Sequence, residues 1–260
     1  MTTPLSRSAL RVARIAGFGA LTAAMLPGLL AHERLTAAAR RRDVRRRWVS
    51  TWADALLRVF GVRALVRGEL AHTDAPGRGR LVVANHRSTA DVLLLLRAFG
   101  GHMVSRADVS GWPLLGPAAR AAGTLFVDRA DASSGAAAVR AIRSRLVAGE
   151  TVIVFPEGTT FPDDEVRPFH AGAFAAAARA DVDIVPVGIA YESGSGAAFV
   201  GETFPAHLAR MAAAAPSRVA LCVGGASPTS ARGARALRDS AHAAVQRLVR
   251  EARALVGGAR

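Results

Sequence analysis

The chain has 260 residues, 51% of them hydrophobic, and its 34 basic residues are all arginine, giving a formal charge of +14. That much apolar material excludes disorder as the default and suffices for a sizeable core, while a mean hydropathy of +0.23 points to apolar surface facing lipid. The charge calls for anionic partners, yet 5% aromatics and the lack of any nucleic-acid module set nucleic acid aside in favour of anionic lipid or an acidic carrier protein.

In chain order, the first element is the charge-free run of 17 residues "IAGFGALTAAMLPGLLA" at 15–31, preceded by Arg7, Arg11 and Arg14 and followed by "RRRDVRRR" at 40–47. It reads as a membrane-seeking helix. The length sits at the short limit for a span, and Pro27 and the glycines loosen it, so spanning, re-entrant and interfacial placements all fit. The arginine block places its end of the helix at the cytoplasmic face. A cleaved leader ending in "TAAA" is the competing reading, and "HER" at 32–34 is wrong for such a cleavage region. In "WVSTWADALLRVFGV", Trp48 and Trp52 stand four apart, suited equally to a headgroup interface and to packing on the protein body.

After Gly61 strands and helices alternate. Strands are predicted at 63–70, 80–84, near 103, and at 124–127, 151–155, 183–190 and 218–223. Helices are predicted at 89–99, 113–122, 133–148, 171–180 and 232–256, the last with Leu237, Ala241, Val245, Leu248 and Leu255 at helical spacing. The fold class is therefore α/β, a single central mixed sheet flanked by helices (61–260), behind membrane-associated helices (1–60). "ESGSGAAF" at 192–199 reads as a surface loop, and Pro186 in "DIVPVGI" as marking a strand end or edge. The single cysteine, Cys222, excludes an internal disulfide and reads as a small core residue. His32, His72, His102, His207 and His242 stand in no ligand-spaced cluster, so no metal is predicted.

The chemistry concentrates in "ANHRSTAD". A strand ends at Ala84, and Ser88 or Thr89 can cap the helix that follows. His86 then stands at the mouth of the sheet, and Asp91, in the first helical turn, can fold back onto one imidazole nitrogen and fix the tautomer. A His–Asp pair with no serine or cysteine beside it suits deprotonation of a substrate hydroxyl. On spacing alone, a plain turn with Asp91 at a helix N-terminus fits equally well.

"NHRSTAD" resembles the NHxxxxD motif of the glycerolipid acyltransferases, the family of the bacterial 1-acylglycerol-3-phosphate acyltransferases. "GTLFVDR" (123–129), "VFPEGTT" (154–160) and "IVPVGI" (184–189) follow in that family's order, so the resemblance covers about residues 63–225. It implies O-acyl transfer from an acyl thioester, of acyl carrier protein or coenzyme A, to a lysolipid hydroxyl at a cell membrane, with no further cofactor. Lysophosphatidate is the first acceptor. His86 and Asp91 are then catalytic, and Asn85, Arg129, Glu157, Gly158, Thr159, Thr160 and Arg167 bind substrate. Arg129 offers a planar fork to an anion, where otherwise a surface ion pair with Asp128 or Asp131 serves as well. Glu157 suits a hydroxyl, loop N–H groups or Arg129, and Gly158 permits close backbone approach. Backbone N–H groups at the start of the helix after His86 are candidates for an oxyanion site.

The chain departs from the pattern at Thr160, where many relatives have arginine. Arg167 and His170 are candidates to replace that charge, and relatives with small polar residues there are similar to lyso-ornithine lipid acyltransferases. A catalytically silent lipid binder is the rival of another class, with no physical need for His86, Asp91, Arg129 and Glu157 together.

Overall fold

The computed structural model describes residues 6–70, 78–128, 131–230 and 232–257. Two helices, α1 (Arg7–Arg34) and α2 (Arg41–Val59), lead into β1 (Val62–Arg67), β2 (Arg80–Ala84), α3 (Thr89–Phe99), β3 (His102–Arg106), α4 (Leu115–Ala121) and β4 (Leu125–Val127). Then come α5 (Ala132–Val147), β5 (Thr151–Val154), α6 (Gly172–Ala178), β6 (Asp183–Tyr191), α7 (Phe204–Ala213), β7 (Ser217–Val223), β8 (Ser227–Pro228) and α8 (Ala234–Gly257).

The strands form one sheet in the order β1-β7-β6-β2-β5-β3-β4, with β8 also on β6. Every pairing is parallel except those of β6 with β7 and β8. A parallel strand in mid-sheet is covered on both faces, which explains the unbroken apolar run of β2. Its alternation sorts the two layers. Val82 and Ala84 join the core beneath α1, α2, α3, α4 and α7, whereas Leu81 and Val83 face α5, α6 and α8. Gly188 of β6 lets α8 lie directly on the strand, since a Cβ there would stand 2.2 Å from the Leu248 carbonyl carbon. Because β6, β2 and β5 are adjacent, with β2 parallel to both, their C-terminal ends open at one edge, where sheets of this kind place ligands.

Pro186 stands inside β6, with no strand end or edge there. Its carbonyl accepts from the Gly224 N–H, in the short gap where β7 gives way to β8, so the missing proline N–H falls where the ladder is already interrupted. Neither α7 nor β8 is in the sequence reading. Yet around α7 "FPAHLARMAA" carries Leu208, Met211 and Ala212 at helical spacing, all joined to the core, and Thr203 at its N-cap and Pro205 in its first turn are proper start signals.

α1 is long and apolar enough to cross a membrane, with only 17% of its most apolar window buried. One side nonetheless packs on the body. Trp48 lies over Gly28 and donates to His32 Nδ1 (3.0 Å), and Trp52 donates to Thr22 (3.2 Å), so both tryptophans join α2 to α1. Val12, Ile15 and Leu30 stay exposed on the other side. Arg14 is buried and bonds the carbonyls of Ala212 (3.3 Å) and Ala214 (2.6 Å), capping the end of α7. Replacing Arg14 by Met should therefore cost about 1–3 kcal/mol of unfolding free energy in detergent solution, and an unchanged denaturation midpoint would mean that α1 is not anchored this way.

Candidate active site

The site begins at the end of β2. Ser88 caps α3, its hydroxyl accepting from the Ala90 N–H (3.2 Å), and Asp91 completes a capping box. The same Asp91 Oδ2 accepts from the N–H groups of Arg87 (2.6 Å) and Ser88 (2.8 Å) and lies 3.0 Å from His86 Nδ1. Asp91 Oδ1 accepts from the Tyr191 hydroxyl at 2.5 Å. The carboxylate is fully buried, so these donors and the N-terminus of α3 together replace water around its charge. Holding Nδ1 against Asp91 leaves Nε2 as the available nitrogen of a side chain that is 18% exposed.

Phe155, at the end of β5, stacks on the imidazole with centroids 3.8 Å apart and planes within 8°. The ring is thus fixed by its edge through Asp91 and by its face through Phe155. Beyond Phe155, Gly158 takes φ of +88° and turns the loop back. Glu157 points inward, one oxygen accepting from the His86 N–H (2.7 Å) and the other from the Arg167 N–H (2.8 Å). Burial pushes its carboxyl up to about 7, the nearby Asp91 charge adding to the effect and the two N–H bonds opposing it. Glu157 therefore ties two loops together.

Several of the residues singled out in the sequence have partners within the protein. Asn85 is buried with its amide spanning the backbone of Ile189 (3.0 and 2.8 Å), so it clasps β2 to β6. The N–H groups of His86, Arg87 and Ser88 already donate to Glu157 and Asp91, which leaves none of these three for an oxyanion. Arg167 pairs with Asp163 (2.8 Å) and Glu165 and lies over the Phe161 ring, so its charge is neutralised by its own loop. Thr160 donates to the Phe199 carbonyl. Its position therefore serves to dock the 192–203 loop, which Arg210 holds from α7 through Gly196, Ala198 and Glu202.

Gly158 and Thr159 line a cleft of about 400 Å³ with Arg106, Asp108, Val127 and Asp128. Arg129 lies outside the described residues. Sequence reasoning missed Phe155, Tyr191 and Arg87, the last of which bonds Asp164 (2.5 Å) and the Pro162 carbonyl (2.5 Å). Phe155 lay inside a quoted motif, but no residue-type signal marks a ring that stacks on another strand's histidine.

The raised Glu157 carboxyl has a signed consequence. An ordinary glutamate loses its proton near 4.5, the folded one near 7, so across that window the folded state holds more protons than the unfolded. This contribution to stability is fully present below the lower value and is lost as pH rises through the upper one. Chemical denaturation across the window should show that decline in the wild type and not in Glu157→Gln, and equal slopes would place the titration elsewhere.

Comparison with known proteins agrees with this architecture. A family model described as Acyltransferase matches residues 62–190. The chain is 35% identical over 217 residues to the lyso-ornithine lipid O-acyltransferase of Pseudomonas aeruginosa, covering 79% of each chain. It is 33% identical over 132 residues to the 1-acyl-sn-glycerol-3-phosphate acyltransferase alpha of Ovis aries, covering 50% of this chain and 45% of the relative. The fold is similar to that of the 1-acyl-sn-glycerophosphate (LPA) acyltransferase PlsC of Thermotoga maritima, with a TM-score of 0.76, 21% identity, and coverage of 98% and 99%. The chain belongs to the acyltransferase family.

Proposed function

We propose that the protein transfers an acyl chain from an acyl thioester, of acyl carrier protein or coenzyme A, to the free hydroxyl of a lysolipid in membrane lipid synthesis. The observation that carries the mechanism is the His86 ring held at Nδ1 by Asp91 and on its face by Phe155. His86 Nε2 takes the proton from the hydroxyl as its oxygen attacks the thioester carbonyl. The tetrahedral species then breaks its C–S bond, and the proton passes from His86 to the departing thiolate. An ester and a free thiol result, and the chemistry calls on no cofactor beyond the donor. Asp91 orients the ring and offsets the charge it carries between the two transfers.

Two acceptors fit, lysophosphatidate and lyso-ornithine lipid. The first follows from the resemblance of the motifs. The second is favoured by Thr160, which docks a loop where many relatives carry arginine, and by Arg167, whose charge is already matched. The relative from Pseudomonas aeruginosa with which the chain shares 79% coverage also acts, by its name, on that lipid. Attachment to the membrane would use the exposed apolar side of α1, with arginines of the 40–47 block toward an anionic cytoplasmic leaflet.

Membranes from an expressing host, supplied with an acyl thioester and either lysolipid, test this directly. Turnover on at least one acceptor should fall about 100- to 10,000-fold in His86→Ala while the fold is kept. Near-normal turnover in that variant would refute the mechanism, and transfer to lysophosphatidate alone would overturn the preference for the amino-acid head.

A further inference from the structure

Asp91 has two oxygens, and the proposed mechanism uses one. Oδ2 serves His86 and the two backbone N–H groups, while Oδ1 is served from across the sheet by the end of β6. The partner there, Tyr191, is the only tyrosine of the chain, and its side chain is completely buried. We propose that Tyr191 is the positioning residue of the acyl-transfer site, holding the Asp91 carboxylate in the one rotation that presents Oδ2 to His86. The inference rests on the assignment of His86 and Asp91 as the catalytic pair.

Three features carry it. First, a carboxylate with donors on one oxygen alone is free to turn about its Cβ–Cγ bond, whereas donors on both oxygens fix its plane, and Tyr191 is the donor seen on Oδ1 among the described residues. Second, Tyr191 is itself held. Arg253 of α8 donates to its carbonyl at 2.6 Å and grips Asp164 through two nitrogens (2.5 and 3.0 Å). Asp164 in turn pairs with Arg87, the residue after His86, whose own N–H bonds Asp91. The final helix thus reaches Asp91 by two routes, through Tyr191 and through Asp164 and Arg87. Third, a buried phenol has no path to substrate, so it acts through Asp91. The ionisable groups around the pair are His86 and Glu157 from the site loops, Arg87 at 6.0 Å from the Tyr191 ring, His207 from α7, and Asp164 with Arg253.

A simpler role, filling the core, is the one to beat. Tyr191 belongs to the core cluster that also holds Val187, Ile189 and side chains of α2 and α3, and phenylalanine would fill its space equally well. The two roles separate on the oxygen alone.

Tyr191→Phe should lower kcat about ten- to a hundred-fold, the rate equivalent of one hydrogen bond to a charged group, with KM for both substrates within twofold and the thermal midpoint still far above the assay temperature. Wild-type kcat in that variant would overturn the proposal, as would a loss seen only in KM. A second readout needs no activity. With tyrosine labelled at Cζ by ¹³C, the spectrum reports this residue alone, and its resonance should move in Asp91→Asn and stay put in His86→Ala. An unmoved resonance in Asp91→Asn would also overturn it, even if the phenylalanine variant failed to fold. The His86→Ala control separates the levels: activity surviving there refutes the catalytic pair, while its loss beside a fully active Tyr191→Phe refutes only the role of Tyr191.

Discussion

A carboxylate buried in a protein must be surrounded by donors, and the requirement of Asp91 for them organises this site. Its oxygens collect the N–H groups that open α3, the ring of His86 and the hydroxyl of Tyr191. One side chain therefore ends a strand cleanly, starts a helix and sets the direction of an imidazole. Loss of any of these partners would leave a buried polar atom unmet, so cap, turn and histidine orientation stand or fall together.

The sheet makes this economy available. With β2 between β5 and β6, three chain segments far apart in sequence deliver His86, Phe155 with Glu157, and Tyr191 to the same edge. Side-chain clasps then lock the loops to each other. Asn85 bridges β2 to β6, Glu157 bridges the histidine loop to the Arg167 loop, and Thr160 bridges to the segment that α7 secures. Asn85, Glu157 and Thr160 thus use polar groups to hold the frame. What remains open beside them is the cleft at Gly158 and Thr159.

Legibility in the sequence followed the range of the forces involved. The Asp91 to His86 contact is local, a turn and one helical cap, and five residues of spacing were enough to anticipate it. Strands β2 and β5 were plain because two-sided burial writes a continuous apolar run. Tyr191 was not legible, since its partner lies 100 residues away and only the order of the strands brings them together. Pro186 misled for a related reason, because the gap that tolerates it belongs to the neighbouring strand. Arg167, a candidate to supply the charge absent at Thr160, follows directly on "DDEV", whose Asp163 and Glu165 pair with it, a short-range signal present in the sequence. The start of α7 was likewise announced by Thr203 and Pro205.

The central claim, that Asp91 dictates which nitrogen of His86 is left for chemistry, is most directly tested by the ring ¹⁵N spectrum of His86. The chain has seven histidines, and His86→Ala identifies the resonance by its disappearance. In the neutral form of the ring the proton should sit on Nδ1 with Nε2 bare, and this preference should be lost in Asp91→Asn. A proton on Nε2 in the wild type, or the same tautomer in both proteins, would contradict the assignment.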